Sequence, residues 1–133
     1  LIMSVKSKKY GRDQEYDGNK IVNSSLNIEP KCFIFSDIAT ESGQVYTLDL
    51  KARFDYNVQK IALKTDTGSL TATLKINGTA ITSLSGIEAT TTTADYTATA
   101  LNILAPGDVL TLTIDTLTDS PLELTGNIEI KRT

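Results

Sequence analysis

The chain has 133 residues, enough for one domain with one core, and is 40% hydrophobic and 22% charged, which sets it apart from disordered and membrane-embedded sequences. Its formal charge of -3 supplies no basic footprint for nucleic acid or an anionic membrane surface. There is no histidine, no tryptophan and one cysteine, so no intrachain disulfide, Ser-His-Asp triad or Cys-His pair can form within it.

Residues 1–20 hold Lys6, Lys8, Lys9, Arg12 and Lys20 against Asp13, Glu15 and Asp17, with Gly11 and Gly18 interrupting any period. They read as an extended N-terminal arm preceding a domain over residues 21–133. Lys8, Lys9, Tyr10, Arg12 and Tyr16 are its candidate partner contacts, because phenol rings and long cations offer amphipathic contact area. Leu1-Ile2-Met3 is too short for a signal-peptide core, and no run approaches the ~20 apolar residues of a membrane span. The expectation is a chain made in the cytoplasm, without membrane insertion.

Beyond the arm, period-two alternation dominates. Lys20–Ile28 and Cys32–Ser36 read as strands, and Cys32, in an apolar run, reads as a small buried hydrophobe. Gln44–Phe54 places Tyr46, Leu48, Leu50, Ala52 and Phe54 on one face and Thr47, Asp49, Lys51 and Arg53 on the other. Val58–Thr65 follows on β-branched content. Leu70, Ala72, Leu74 and Ile76 then alternate with Thr71, Thr73, Lys75 and Asn77. Ala80–Leu84 and Tyr96–Leu104 are shorter strands. Leu110, Leu112 and Ile114 alternate with Thr111, Thr113 and Asp115, and Leu122, Leu124, Ile128 and Ile130 with Glu123, Thr125, Asn127 and Glu129.

Turn chemistry punctuates these runs. Asp66-Thr67-Gly68-Ser69 and Asn77-Gly78 read as tight hairpins, since glycine accepts the positive φ such turns require. Ala105-Pro106-Gly107-Asp108 fits a type II turn. Short alternating strands with turns between them predict an all-β fold, an antiparallel β-sandwich of about 8 strands, jelly-roll-like or immunoglobulin-like. Of 20 threonines, 17 lie between Thr65 and Thr125, suiting the solvent faces of sheets and offering hydroxyls to a sugar or another subunit.

Without histidine the commonest general base, nucleophile activator and transition-metal ligand are missing together. No Walker-type loop or Gly-x-Gly-x-x-Gly turn is present, and no EF-hand spacing. Asp49, Asp55, Asp115 and Glu123 are the carboxylates a glycosidase-like pair would need, but their spacing matches solubilising charges. The reading is a non-enzyme with no cofactor and no metal.

Gly68-Ser-Leu-Thr-Ala-Thr-Leu-Lys-Ile-Asn-Gly-Thr-Ala, Ala105-Pro-Gly-Asp-Val-Leu-Thr-Leu-Thr-Ile and Leu122-Glu-Leu-Thr-Gly-Asn-Ile-Glu-Ile together resemble the β-sandwich modules of tailed-bacteriophage virion proteins, of the tail-fibre, head-fibre and decoration kinds. The resemblance spans Val58 to Thr133. It implies a non-enzymatic structural role in the virion, as a homo-oligomer, with a trimer favoured, that contacts other virion proteins and a host-surface glycan. A carbohydrate-binding module and a bacterial adhesin domain are the alternatives.

Overall fold

The computed structural model describes residues 9–10, 14–17, 20–21, 27–38 and 43–133, and the elements among them are all β-strands. β1 (Lys9–Tyr10), β2 (Gln14–Asp17) and β3 (Lys20–Ile21) make a small antiparallel sheet where the sequence suggests only an extended arm. Two-residue pairings such as Tyr16 with Ile21 leave no periodic trace in a sequence.

Ten further strands build the sandwich. They are β4 (Ile28–Ser36), β5 (Val45–Asp49), β6 (Tyr56–Thr65), β7 (Ser69–Ile76), β8 (Thr79–Ala80), β9 (Ile87–Ala89), β10 (Ala94–Thr97), β11 (Ile103–Leu104), β12 (Leu110–Thr118) and β13 (Glu123–Arg132). One sheet runs β10-β6-β13-β4, with β11 also pairing β6; the other runs β5-β12-β7-β8, with β9 also pairing β7. β8 and β9 share one edge of β7, and β10 and β11 share one edge of β6, so ten segments fill eight positions. Numbered by position, the sheets read 1-8-3-6 and 2-7-4-5. That is the jelly roll, in which the chain changes sheet at β4 to β5, β5 to β6, β6 to β7, β9 to β10, β11 to β12 and β12 to β13.

The core lies where the sequence alternation points. Leu70, Ala72, Leu74, Leu110, Leu112, Ile114, Leu124, Ile128 and Ile130 are all at or below 1% exposure. In β6 the buried set passes from Tyr56 and Val58 to Ile61, Leu63 and Thr65, because a bulge opposite Glu129 and Ile130 inserts one residue and reverses the parity.

Four expectations change. Asp66–Ser69 is not a hairpin: β6 and β7 belong to different sheets, and the segment crosses between them. Gly68 is needed there all the same, with φ at +63° and a Cβ that would collide with the carbonyl oxygens of Thr118 and Asp119. Asn77-Gly78 does close the β7–β8 hairpin, with φ positive at both residues. Leu50 and Leu122 are exposed, at 76% and 55%, because β5 stops at Asp49 and β13 starts at Glu123. Cys32 is exposed as well. Phe33 and Phe35, the bulkier apolar pair, take the inner face of β4, and period two then sends Cys32 and Ile34 outward.

Candidate interaction surface

The two lateral sides of the sandwich are built differently. On the side of β8, β9, β10 and β11, cross-sheet bonds stitch the layers together. Thr82 and Ala100 form a β-bridge, the Ser83 and Thr99 hydroxyls lie 2.7 Å apart, and the Tyr96 hydroxyl donates to the Glu88 carbonyl at 2.6 Å.

The opposite side is bounded by β4 and β5, the terminal strands of their sheets. Among the described residues, no strand pairs with the outer edge of either. What joins them is aromatic. Phe35 of β4 stacks on Tyr46 of β5 at 4.4 Å between centroids, and Phe33 sits 5.1 Å from Phe35. Further along, the Lys31 ammonium stands 5.9 Å from the centre of the Tyr56 ring. The Arg132 guanidinium lies 4.1 Å over Phe54 while its Nη2 meets Glu29 Oε1 at 2.9 Å. Tyr56 is fully buried and donates to Asp49 Oδ2 at 2.7 Å. Burial first, then the hydrogen bond and charge of Asp49, holds this phenol far above its ordinary range.

Exposed apolar residues flank this open side, as Leu101 and Ile103, each 65% exposed, flank the stitched one. On the outer face of β4, Ile28 is 45% and Ile34 64% exposed, with Pro30 and Cys32 between them, and Val45 of β5 is 57% exposed. Next to Ile34 and Cys32, a shallow notch of about 280 Å³ is lined by Ala62, Lys64, Thr93 and Asn127. A strand edge of this kind presents unpaired main-chain donors and acceptors together with apolar side chains.

The ends of the sandwich are polar. At one end a cleft of about 430 Å³ gathers Lys64, Thr65, Asp66, Thr91, Glu123 and Thr125. Asp66 Oδ1 accepts the N–H groups of Thr67, Glu123 and Leu122 at 2.9, 3.0 and 3.1 Å. The Glu123 N–H, more than any other influence, holds this carboxyl below its ordinary value. At the other end Asp108 accepts from Ala105 N and Asn77 Nδ2 while Asn77 Oδ1 accepts from Val109 N, and Asp108 is lowered chiefly by Ala105. Both aspartates organise chain crossings. Among the described residues no three His, Cys, Asp or Glu side chains gather as a metal site would require.

No family model matches this chain, and no curated protein does. Solved structures do. A chain of the cyanophage Pam1 capsid asymmetric unit aligns at 12% identity over 78% of this chain and 82% of that one, with a TM-score of 0.49. The CBM35 from Paenibacillus barcinonensis aligns at 14% identity over 83% and 96%, with a TM-score of 0.47. A capsid chain of the Helicobacter pylori bacteriophage KHP30 aligns at 15% identity over 78% and 86%, with a TM-score of 0.42.

Of the contact residues expected from sequence, Lys9 and Tyr10 fall in β1 and Tyr16 in β2, whereas Lys8 and Arg12 lie outside the described residues. The residues of the open side are a different set. A signal for them exists in the sequence: Pro30 inside an apolar run marks an edge strand, since proline cannot donate to a ladder on both sides.

Proposed function

We propose that this chain is a non-enzymatic structural subunit of a bacteriophage virion, of the fibre or decoration kind, that acts by assembling with copies of itself and with other virion proteins. One observation carries the assembly part of this reading: β4 and β5 end their sheets side by side with Ile28, Ile34 and Val45 exposed and, among the described residues, no strand on their outer edges. Such a side is a liability in a monomer and an asset in an assembly, because a neighbour covers its edges and its apolar surface together. The virion part is supported by the strand-turn idiom of residues 58–133, and the arm with Lys9, Tyr10 and Tyr16 adds a second docking element.

Sedimentation velocity over a hundredfold range of concentration tests the reading. A reversible or stable oligomer is expected. A strict monomer that binds on a glycan array would replace it with the carbohydrate-binding alternative, for which the polar cleft around Asp66 and Glu123 is the place to look.

A further inference from the structure

We infer that Asn77 is a deamidation site, and that the hydrogen bonds holding its carboxamide to Asp108 and Val109 set the rate at which it converts. The reaction needs only water. The Gly78 nitrogen gives its proton to solvent and bonds to Asn77 Cγ, the Cγ–Nδ2 bond breaks, and Nδ2 leaves as ammonia after taking a proton from solvent. Water then opens the cyclic imide, at Cγ to give aspartate or at the backbone carbonyl carbon to give isoaspartate. No electrons are transferred.

The fold requires the reactive pair. Asn77-Gly78 is the only Asn-Gly in the chain, and a two-residue hairpin needs the positive φ that both residues have, +50° and +84°. Glycine meets that need because it has no Cβ, and for the same reason it leaves its own nitrogen unshielded. A Cβ at Gly78 would meet nothing within 4 Å, and both turn residues are exposed, so the tip of the hairpin is open to attack and to water. The other asparagines among the described residues are built the opposite way. Asn27, Asn57, Asn102 and Asn127 are each followed by isoleucine or valine, whose branched Cβ crowds the nitrogen.

What restrains Asn77 is a clasp from another part of the chain. Its Nδ2 donates to Asp108 Oδ1 at 3.0 Å and its Oδ1 accepts from Val109 N at 3.0 Å, while its own N–H donates to the Val109 carbonyl at 2.9 Å. Asp108 is fixed in turn, since its Oδ2 accepts from Ala105 N at 2.9 Å. A carboxamide held at both ends cannot swing its carbon onto the Gly78 nitrogen until a bond opens. One hydrogen bond of ordinary net strength slows that step about fivefold.

Conversion changes the molecule locally. A carboxylate at position 77 loses the donor to Asp108 and stands beside a second negative charge, and isoaspartate also adds a backbone carbon to a turn whose strands pair only at Lys75–Ala80 and Ile76–Thr79. That hairpin walls a cleft of about 420 Å³ with Leu101 and Ile103. The charge and shape of the cleft therefore alter as the chain ages.

The test follows the full chain in warm, mildly alkaline buffer by peptide mass mapping and isoaspartate methyltransferase labelling. Asn77 should convert ahead of Asn27, Asn57, Asn102 and Asn127, and about twentyfold more slowly in the folded chain than in urea, the worth of the two side-chain bonds together. Asp108→Asn keeps one oxygen for Ala105 N but turns an NH2 group towards Asn77 Nδ2, so it opens the clasp and spares the crossing. Both it and Asp108→Ala should convert about fivefold faster than the parent while still folded by circular dichroism. Pro106→Ala, which loosens the same crossing and keeps Asp108, should convert at the parent's rate. Equal rates in the folded and urea-unfolded chain, or Asp108 variants no faster than the parent, would overturn the clasp. Equal acceleration in Pro106→Ala would overturn it as well, assigning the protection to rigidity of the crossing. A folded chain in which another of these asparagines converts first would overturn the site itself.

Discussion

Phe35 and Tyr46 stack across the two layers with their centroids 4.4 Å apart and their planes 20° from parallel, each ring coming from the edge strand of its own sheet. On the opposite side that task falls to hydroxyl and backbone hydrogen bonds. The β4–β5 side therefore holds by ring packing, with the Tyr56 hydroxyl reaching across to Asp49 further along, and keeps its strand edges open.

A double-mutant cycle on this pair should reveal the stack. Phe35→Leu and Tyr46→Leu keep apolar volume but remove ring-on-ring contact. The coupling between them, read from urea unfolding, should be about 1 kcal/mol, the usual worth of an aromatic pair beyond its buried area. Additive losses would mean that the rings act only as bulk.

Gly126 is the second test. It lies opposite Phe33 and Leu63 in the ladder, in line with Leu124 and Ile128, and a Cβ there would stand 2.5 Å from the Ala62 carbonyl oxygen and 2.6 Å from Phe33 Cζ. The ring can swing away, but the carbonyl cannot without bending β6. Gly126→Ala should therefore cost about 2 kcal/mol, although alanine is the better strand residue. Adding Phe33→Leu should restore only part of the loss in a thermal melt.

Leu112 and Thr113 probe the two faces of β12. Leu112 is fully buried, so Leu112→Asp buries an unpaired charge and should unfold the domain, a loss above about 4 kcal/mol. Thr113 faces outward but is only 9% exposed, and opposite it Thr73 donates to Asp115 Oδ2 at 2.6 Å. Thr113→Asp brings a second carboxylate towards Asp115 and should cost measurable stability. Thr97→Asp, exposed on β10 and opposite Lys60, should stay within about 0.5 kcal/mol of the parent. Circular dichroism melts of the three variants should fall in that order.

Acid should loosen both ends of the sandwich. The carboxyls of Asp66 and Asp108 are held below the ordinary 3.8 by the N–H groups they accept from, led by Glu123 and Ala105 respectively. A folded-state value below the unfolded one means that the contribution is whole well above pH 3.8 and is lost as pH falls through the folded values. Melting temperature should decline as pH drops below about 4, and Asp66→Ala should lower it at neutral pH while flattening that decline. A decline as steep in the variant as in the parent would remove Asp66 from the cause.

Alternation by itself determined the all-β class and most of the core, because a side chain's face in a strand depends only on parity, and Leu70 to Ile76 and Leu110 to Ile114 keep theirs without interruption. Asn77-Gly78 was equally legible, since a two-residue hairpin is settled by the φ its own residues accept. Local pattern could not say which strands pair. Asp66–Ser69 has hairpin chemistry yet crosses between sheets, because both edges of β6 are already taken by β13 and by β10 and β11. Nor could it choose the outward residues of Lys31-Cys32-Phe33-Ile34-Phe35, where four neighbours in a row are apolar and parity is invisible until the larger rings claim the interior. The open β4–β5 side belongs to the tertiary structure for the same reason: a strand edge exists only once it is known which neighbours a strand has.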